Sequence, residues 1–82
     1  TNLVDVIQEA VEQVRRMEGA EEVTFTLHGP SEVTIEADPR RMERVFLNLF
    51  TNAVAAIQGK GEVEVGVTVE GEHVRTVVRD TG

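Results

Sequence analysis

The order of apolar and polar positions predicts a helix at the start of the chain. Apolar residues recur there at steps of three and four, with Gln, Glu and Arg between them, which is the period of a helix with one buried side. The apolar positions are Leu3, Ile7, Ala10, Val11, Val14 and Met17. We expect this amphipathic helix to end at Gly19, because glycine commonly follows the last turn of a helix.

From Val23 onward the period changes to two, which is typical of half-buried strands. Apolar and polar residues alternate over two short segments that are separated by His-Gly-Pro-Ser. The apolar positions are Val23, Phe25 and Leu27 in the first segment, and Val33, Ile35 and Ala37 in the second. The pattern predicts two short strands after the first helix.

A second helix is predicted from its start and stop signals. Asp38 offers a side-chain acceptor for the helix start, and Pro39 suits the first helical position. Gly59 and Gly61 then indicate that the helix stops after Gln58. A helix of about 20 residues has a length of roughly 30 Å.

The rest of the chain is predicted to form a β-hairpin. Valines at positions 63, 65, 67 and 69 alternate with smaller or polar residues, and Glu70-Gly71-Glu72 provides a turn before a returning strand from His73 to Asp80. The element order is therefore helix, two strands, helix, hairpin. It predicts an α+β fold in which helices lie on one face of a mixed β-sheet, as a two-layer sandwich.

Size and composition narrow the possible functions. The 82 residues suffice for one small domain, and the absence of cysteine excludes disulfides and thiolate metal sites. A cytoplasmic setting agrees with that absence. The formal charge of −7 disfavours nucleic-acid binding, and no apolar run reaches the roughly 20 residues that a membrane helix needs.

Two asparagines in the second helix call for an explanation, since Asn is a poor helix former. At about 100° per residue, Asn48 and Asn52 lie at one margin of the apolar face, beside Val45 and Ala56. We expect the buried arc to contain Leu49, Ala53, Phe46, Ile57, Phe50, Val54 and Leu47. The carboxamides either bond water or a loop carbonyl, or they serve a binding site.

The last strand raises a similar question. In a period of two, Asp80 lies on the same face as Val74 and Val78, toward the helices. A buried carboxylate is costly without donors, so Asp80 is expected to meet a donor or to remain partly open to solvent. Alternatively, the strand has ended and Asp80 caps a turn with Thr81 and Gly82.

Taken together, these features resemble one family. The run DPRRMERVFLNLFTNAVAAI, the glycine-bounded loop, the valine-rich hairpin and the final DTG are similar to the ATP-binding domain of sensor histidine kinases, within the Bergerat-fold ATPases. LNLFTNA resembles the asparagine-rich helix motif of that family. Residues 80–82 resemble the opening of its first glycine-box, D-x-G-x-G.

The resemblance implies a role for each matching residue. Asn52 would coordinate the Mg²⁺ that bridges the ATP phosphates, and Asn48 would support the metal or its water shell. Asp80 would accept a hydrogen bond from the adenine amino group. The remaining nucleotide-binding positions would be Ala53 and Ala56, which leave space for the base, and Gly82. No residue of this chain is expected to be catalytic in itself.

Departures from the family pattern refine the expectation. Many sensor kinases carry a basic residue and then an aromatic one where this chain has Ala55 and Ala56. The chain is in this respect most similar to the nitrogen-regulation branch of the family. Arg44 either approaches the phosphates or is a solvated surface residue. His28 and His73 are interpreted as surface residues rather than as the phosphorylation site.

The resemblance covers residues 1–82 as one partial ATP-binding domain, truncated before the lid, the third helix and the last strands. It implies a protein histidine kinase whose partners are a histidine-bearing dimerisation domain and a response regulator. The 82 residues alone are expected to be inactive and able to self-associate through an exposed sheet edge. The alternatives are an ATP-hydrolysing Bergerat relative, which carries glutamate where Asn48 stands, and a non-catalytic α+β interaction module.

Overall fold

A computed structural model describes residues 1–81. Within these residues, two helices and three strands follow one another. They are α1 (Leu3–Arg15), β1 (Val23–His28), α2 (Pro39–Ile57), β2 (Gly61–Glu70) and β3 (His73–Asp80). Both predicted helices, the first predicted strand and the hairpin are therefore confirmed.

The three strands form one mixed sheet with β2 in the centre. β1 pairs with β2 in parallel, and β3 pairs with β2 in the antiparallel direction. Val63, Val65 and Val67 of β2 are buried, whereas the residues at positions 62, 64 and 68 of the same strand are exposed. One face of the sheet is thus covered by α1 and α2 and the other faces solvent, which confirms the predicted α+β two-layer fold.

The three phenylalanines hold α2 against the other elements. Phe50 is fully buried, and its ring meets that of Phe25 from β1 edge to face, with centroids 5.7 Å apart. Phe46, one turn earlier on α2, lies 5.8 Å from Phe50. Since aromatic side chains contribute a large share of core energetics, this cluster fixes which side of α2 faces the core.

The ends of α2 follow the predicted signals closely. The Asp38 carboxylate accepts a hydrogen bond from the Arg40 backbone N–H at 3.0 Å, and Pro39 occupies the first helical position. At the other end, Gln58 adopts the left-handed conformation with φ of 51° and donates to the Val54 carbonyl. The helix therefore ends at Ile57, one residue before the predicted end.

The predicted end of α1 at Gly19 is wrong, because the helix stops at Arg15. After Val14 the backbone bonds tighten to three-residue spacing, with Arg16 donating to Gln13 and Met17 donating to Val14. This tighter turn rotates Met17 away from the apolar stripe. Its side chain is 44% exposed rather than part of the core.

The second predicted strand, over residues 33–37, is also absent from the fold. That segment makes a single bridge, between Thr34 and Asn2, and Ile35 donates a backbone hydrogen bond to Thr1. Its partner is the start of α1, since the Leu3 N–H also donates to the Val33 carbonyl, and helical residues do not extend a β-ladder. Its alternating pattern arises because Val33 is buried against the core while its neighbours stay exposed.

Candidate functional site

The two asparagines lie one turn apart on α2, and both are exposed. Four residues correspond to slightly more than one turn, so their side chains project from the same side of the helix. Neither carboxamide forms a hydrogen bond with another residue of the described chain. Their donors and acceptors are consequently available to an external partner.

Apolar side chains flank these amides, and they are more exposed than predicted. Val45 is 50% exposed and Leu49 is 43% exposed. The prediction that Leu49 belongs to the buried arc is wrong. The other members of the arc do contact the core, because Phe46, Phe50 and Ala53 are buried and Leu47, Val54 and Ile57 are partly buried against it. The exposed set Val45, Asn48, Leu49, Asn52 and Ala56 is called the amide face of α2 below.

The two alanines predicted to leave room for a base have different positions. Ala56 is exposed on the amide face, whereas Ala53 is 4% exposed and belongs to the core cluster. A ligand on the amide face would therefore meet Ala56 directly. Ala53 would act by allowing close packing below that face.

Asp80 lies on the helix-facing side of the sheet, as the strand parity predicts. It pairs with Val63, which is fully buried, and two residues earlier Val78 pairs with the buried Val65. Directly paired residues project to the same face of a sheet. Asp80 is the last residue of β3 and is exposed, so its carboxylate is on the side of the helices yet remains accessible.

Two further residues at this end of the sheet, Gly61 and Thr81, were assigned no contact by the sequence analysis. The Thr81 hydroxyl accepts a hydrogen bond from the Glu62 backbone N–H at 3.1 Å, and a side chain at Gly61 would collide with that hydroxyl and with Ile57. Gly61 was interpreted only as a helix stop. The sequence does contain a signal for this role. Gly61 lies two residues before Val63, so it is on the helix-facing side of β2, where glycine leaves out a side chain.

The remaining predicted residues are at the surface or outside the described chain. Arg44, His28 and His73 are all exposed, and Gly82 lies outside the described residues. A groove of about 400 Å³ between the C-terminal ends of the helices is lined by α1 and α2 residues such as Val14 and Val54. Asn48, Asn52 and Asp80 do not line this groove, so their surface is an open wall.

The donor set on α2 suits a magnesium ion that arrives with a ligand. Mg²⁺ keeps several waters and takes one or two protein oxygens together with substrate phosphates. Over residues 1–81, no three His, Cys, Asp or Glu side chains come together as a metal site. The exposed amide oxygens of Asn52 and Asn48 fit such a partly hydrated ion and do not form a closed metal cage.

Neither helix within residues 1–81 has the length and apolar character required to cross a bilayer.

Comparison with known proteins supplies the family. The family model described as histidine kinase-, DNA gyrase B-, and HSP90-like ATPase matches residues 37–82, more than half of the chain. The match begins just before α2 and includes the amide face and Asp80. No solved structure matches.

Several curated relatives are similar over most of the chain. The sensor histidine kinase ZraS of Klebsiella oxytoca is 43% identical over 61 residues, which are 73% of this chain and 13% of that protein. The sensor protein CreC of Escherichia coli is 36% identical over 73 residues, 88% of this chain and 15% of that protein. The non-motile and phage-resistance protein of Caulobacter vibrioides is 34% identical, over 99% of this chain and 10% of that protein.

The chain thus spans 10% to 15% of the length of the curated relatives that it matches. The matched region, the two-layer α+β fold and the asparagine-bearing helix agree with one another. The chain belongs to the family of histidine kinase-, DNA gyrase B- and HSP90-like ATPases.

Proposed function

We propose that this chain is part of the ATP-binding catalytic domain of a two-component sensor histidine kinase. In this proposal it presents Mg²⁺-ATP so that the γ-phosphoryl group moves to a histidine on a separate dimerisation domain, and a response regulator then receives the group. The relatives named as sensor histidine kinases or sensor proteins support this choice within the wider ATPase family.

One observation carries the proposal: the matched region holds a carboxylate on the helix side of β3 and, on α2, two amides without a hydrogen-bond partner among residues 1–81. Asn52 lies five residues before Ile57, the last residue of α2, which corresponds to about 7.5 Å along the helix axis. The Ile57 side chain in turn lies beside Gly61 at the start of β2, where Thr81 also packs. Asp80 and Asn52 therefore lie toward the same end of the two-layer fold, and Asn48 lies about one turn further along α2, near its middle.

Each residue has a distinct task in this proposal. The Asp80 carboxylate accepts a hydrogen bond from the adenine amino group and so orients the base. The Asn52 and Asn48 amides would hold the metal ion and its water shell, and the ion when bound would neutralise charge on the phosphates. The contribution of this chain to catalysis is the positioning of the nucleotide.

The identity of residue 48 favours transfer over hydrolysis. Activation of an attacking water needs a general base, and a carboxamide has no usable basicity at neutral pH. Asn48 is exposed on the amide face, beside the position proposed for the phosphates. A water molecule there would meet an amide rather than a carboxylate, which supports a protein histidine as the acceptor.

Incubation of the complete protein with γ-labelled ATP is expected to give a phosphoprotein that is stable to base and labile to acid, as a phosphohistidine is. A variant with both His28→Gln and His73→Gln serves as the matched control. It is expected to be labelled like the unmodified protein, because these exposed histidines are not the proposed acceptor. Release of inorganic phosphate without a labelled protein would favour the hydrolysing alternative, and failure to bind ATP would favour the interaction module.

The 82 residues alone are expected to have no kinase activity and at best very weak affinity for ATP. Asn48, Asn52 and Asp80 form an open wall, and a half-enclosed ligand gains little against its lost freedom. The outer side of β3 also has no neighbouring strand within residues 1–81, and Val69 and Val77 are 51% and 39% exposed. Such an edge favours self-association.

Calorimetric titration with Mg²⁺-ATP and sedimentation of the same sample test both statements about the isolated chain. Micromolar binding by a monodisperse, cooperatively melting monomer is the result that contradicts them.

A further inference from the structure

At the end of β3 a side chain accepts a hydrogen bond that a backbone carbonyl would accept in a regular β-ladder. The Thr81 N–H donates to the Glu62 carbonyl at 3.2 Å, as expected for an antiparallel pair. The return bond differs, because the Glu62 N–H donates to the Thr81 hydroxyl at 3.1 Å and not to a carbonyl. The hydroxyl thus fixes the residue that directly follows Asp80.

Gly61 makes room for this hydroxyl. A Cβ atom at Gly61 would lie 2.5 Å from Thr81 Oγ1 and 2.7 Å from Ile57 Cγ2, both too close for real contacts. The strand needs glycine here for space, since positive φ angles occur at other glycines and not at Gly61. By contrast, a Cβ at Gly66 in the same strand would meet nothing within 4 Å.

These contacts join the two halves of the proposed site. Ile57 ends α2, which carries Asn52, and Thr81 follows Asp80. Because both side chains lie against Gly61, this junction links the residue after Asp80 to the end of α2. We infer that Thr81 and Gly61 are positioning residues that set the preference of the site for adenine, an inference that rests on the proposed function.

The test compares ATP with GTP in the complete protein by calorimetric titration. GTP carries an oxo group where ATP carries the amino group, so a well-placed Asp80 carboxylate favours ATP. Thr81→Val keeps the shape and removes the acceptor, and it is expected to lower the ATP-over-GTP preference about fivefold, the effect of one hydrogen bond. Thr81→Ser keeps the hydroxyl and is expected to restore the preference.

A ratio of affinities separates positioning from simple destabilisation. Unfolded protein binds neither nucleotide, so a lower folded fraction reduces both signals and leaves the ratio of dissociation constants unchanged. Gly61→Ala is expected to lower the ratio in the same way by displacing the hydroxyl, whereas its matched control Gly66→Ala leaves it unchanged. If Thr81→Val does not fold, the comparison of Gly61→Ala with Gly66→Ala tests the positioning role.

The two levels of the proposal fail in different ways. If the unmodified protein prefers ATP and both Thr81→Val and Gly61→Ala keep that preference, the positioning role is wrong and the proposed function stands. If the unmodified protein binds ATP no better than GTP, the role proposed for Asp80 is itself wrong, and the inference falls with it.

Discussion

Asp80→Asn is expected to weaken ATP binding to the complete protein by about 2 kcal/mol, or roughly thirtyfold. The substitution keeps the size of the side chain and replaces an acceptor oxygen with an amino group. If that group faces the adenine amino group, two donors oppose each other and the hydrogen bond is lost. The position of Asp80 agrees with the proposed contact, because it pairs with the buried Val63 and lies on the helix-facing side of β3.

Two controls make the experiment specific: a variant of another carboxylate, and a nucleotide that lacks the amino group. Glu64→Gln changes an exposed carboxylate on the opposite face of the sheet, so it is expected to leave ATP affinity unchanged. Purine riboside triphosphate lacks the amino group of ATP. It is expected to bind the unmodified protein more weakly than ATP does. The Asp80→Asn variant is expected to bind it at least as tightly as it binds ATP. Unchanged ATP affinity in Asp80→Asn would remove this residue from the site.

The periodic parts of the fold could be predicted from the sequence because they depend on local signals. Asp38-Pro39 marks the start of α2, and the alternating valines of β2 mark its buried face. The wrong predictions concern segments whose structure depends on contacts with other parts of the chain. Residues 33–37 alternate like a strand but lie beside the start of α1, which does not extend a β-ladder, and Met17 leaves the core after a tightened turn.

The candidate site was predicted in part for the same reason. Asn48, Asn52 and the parity of Asp80 follow from helix and strand periods, which the sequence displays. The exposure of Leu49 could not be predicted in this way, because a helical wheel does not show how much of a helix the neighbouring elements cover. In this fold α1 and the sheet leave Leu49 43% exposed. The contact of Gly61 with Thr81 joins residues 20 positions apart and required the sheet register.

Asn52→Ala is expected to abolish the Mg²⁺-dependent part of nucleotide binding in the complete protein. Asn52 is exposed on the amide face and has no hydrogen-bond partner in the described chain, so its oxygen is available to a hard cation. Alanine removes that oxygen and is the better helix former, so the helix itself is expected to be unaffected or slightly stabilised. The loss therefore reports on the ligand role and not on folding.

Calorimetric titrations with ATP, each in the presence of Mg²⁺ and in the presence of EDTA, measure this effect. Affinity in EDTA is expected to be the same for Asn52→Ala and the unmodified protein, while the gain on adding Mg²⁺ disappears in the variant. Thr51→Ala, at the neighbouring position of α2 that lines the groove between the helices, is the control and is expected to keep the full gain. Equal losses with and without Mg²⁺ would show that Asn52 contacts the nucleotide or shapes the helix, and is not a ligand of the metal.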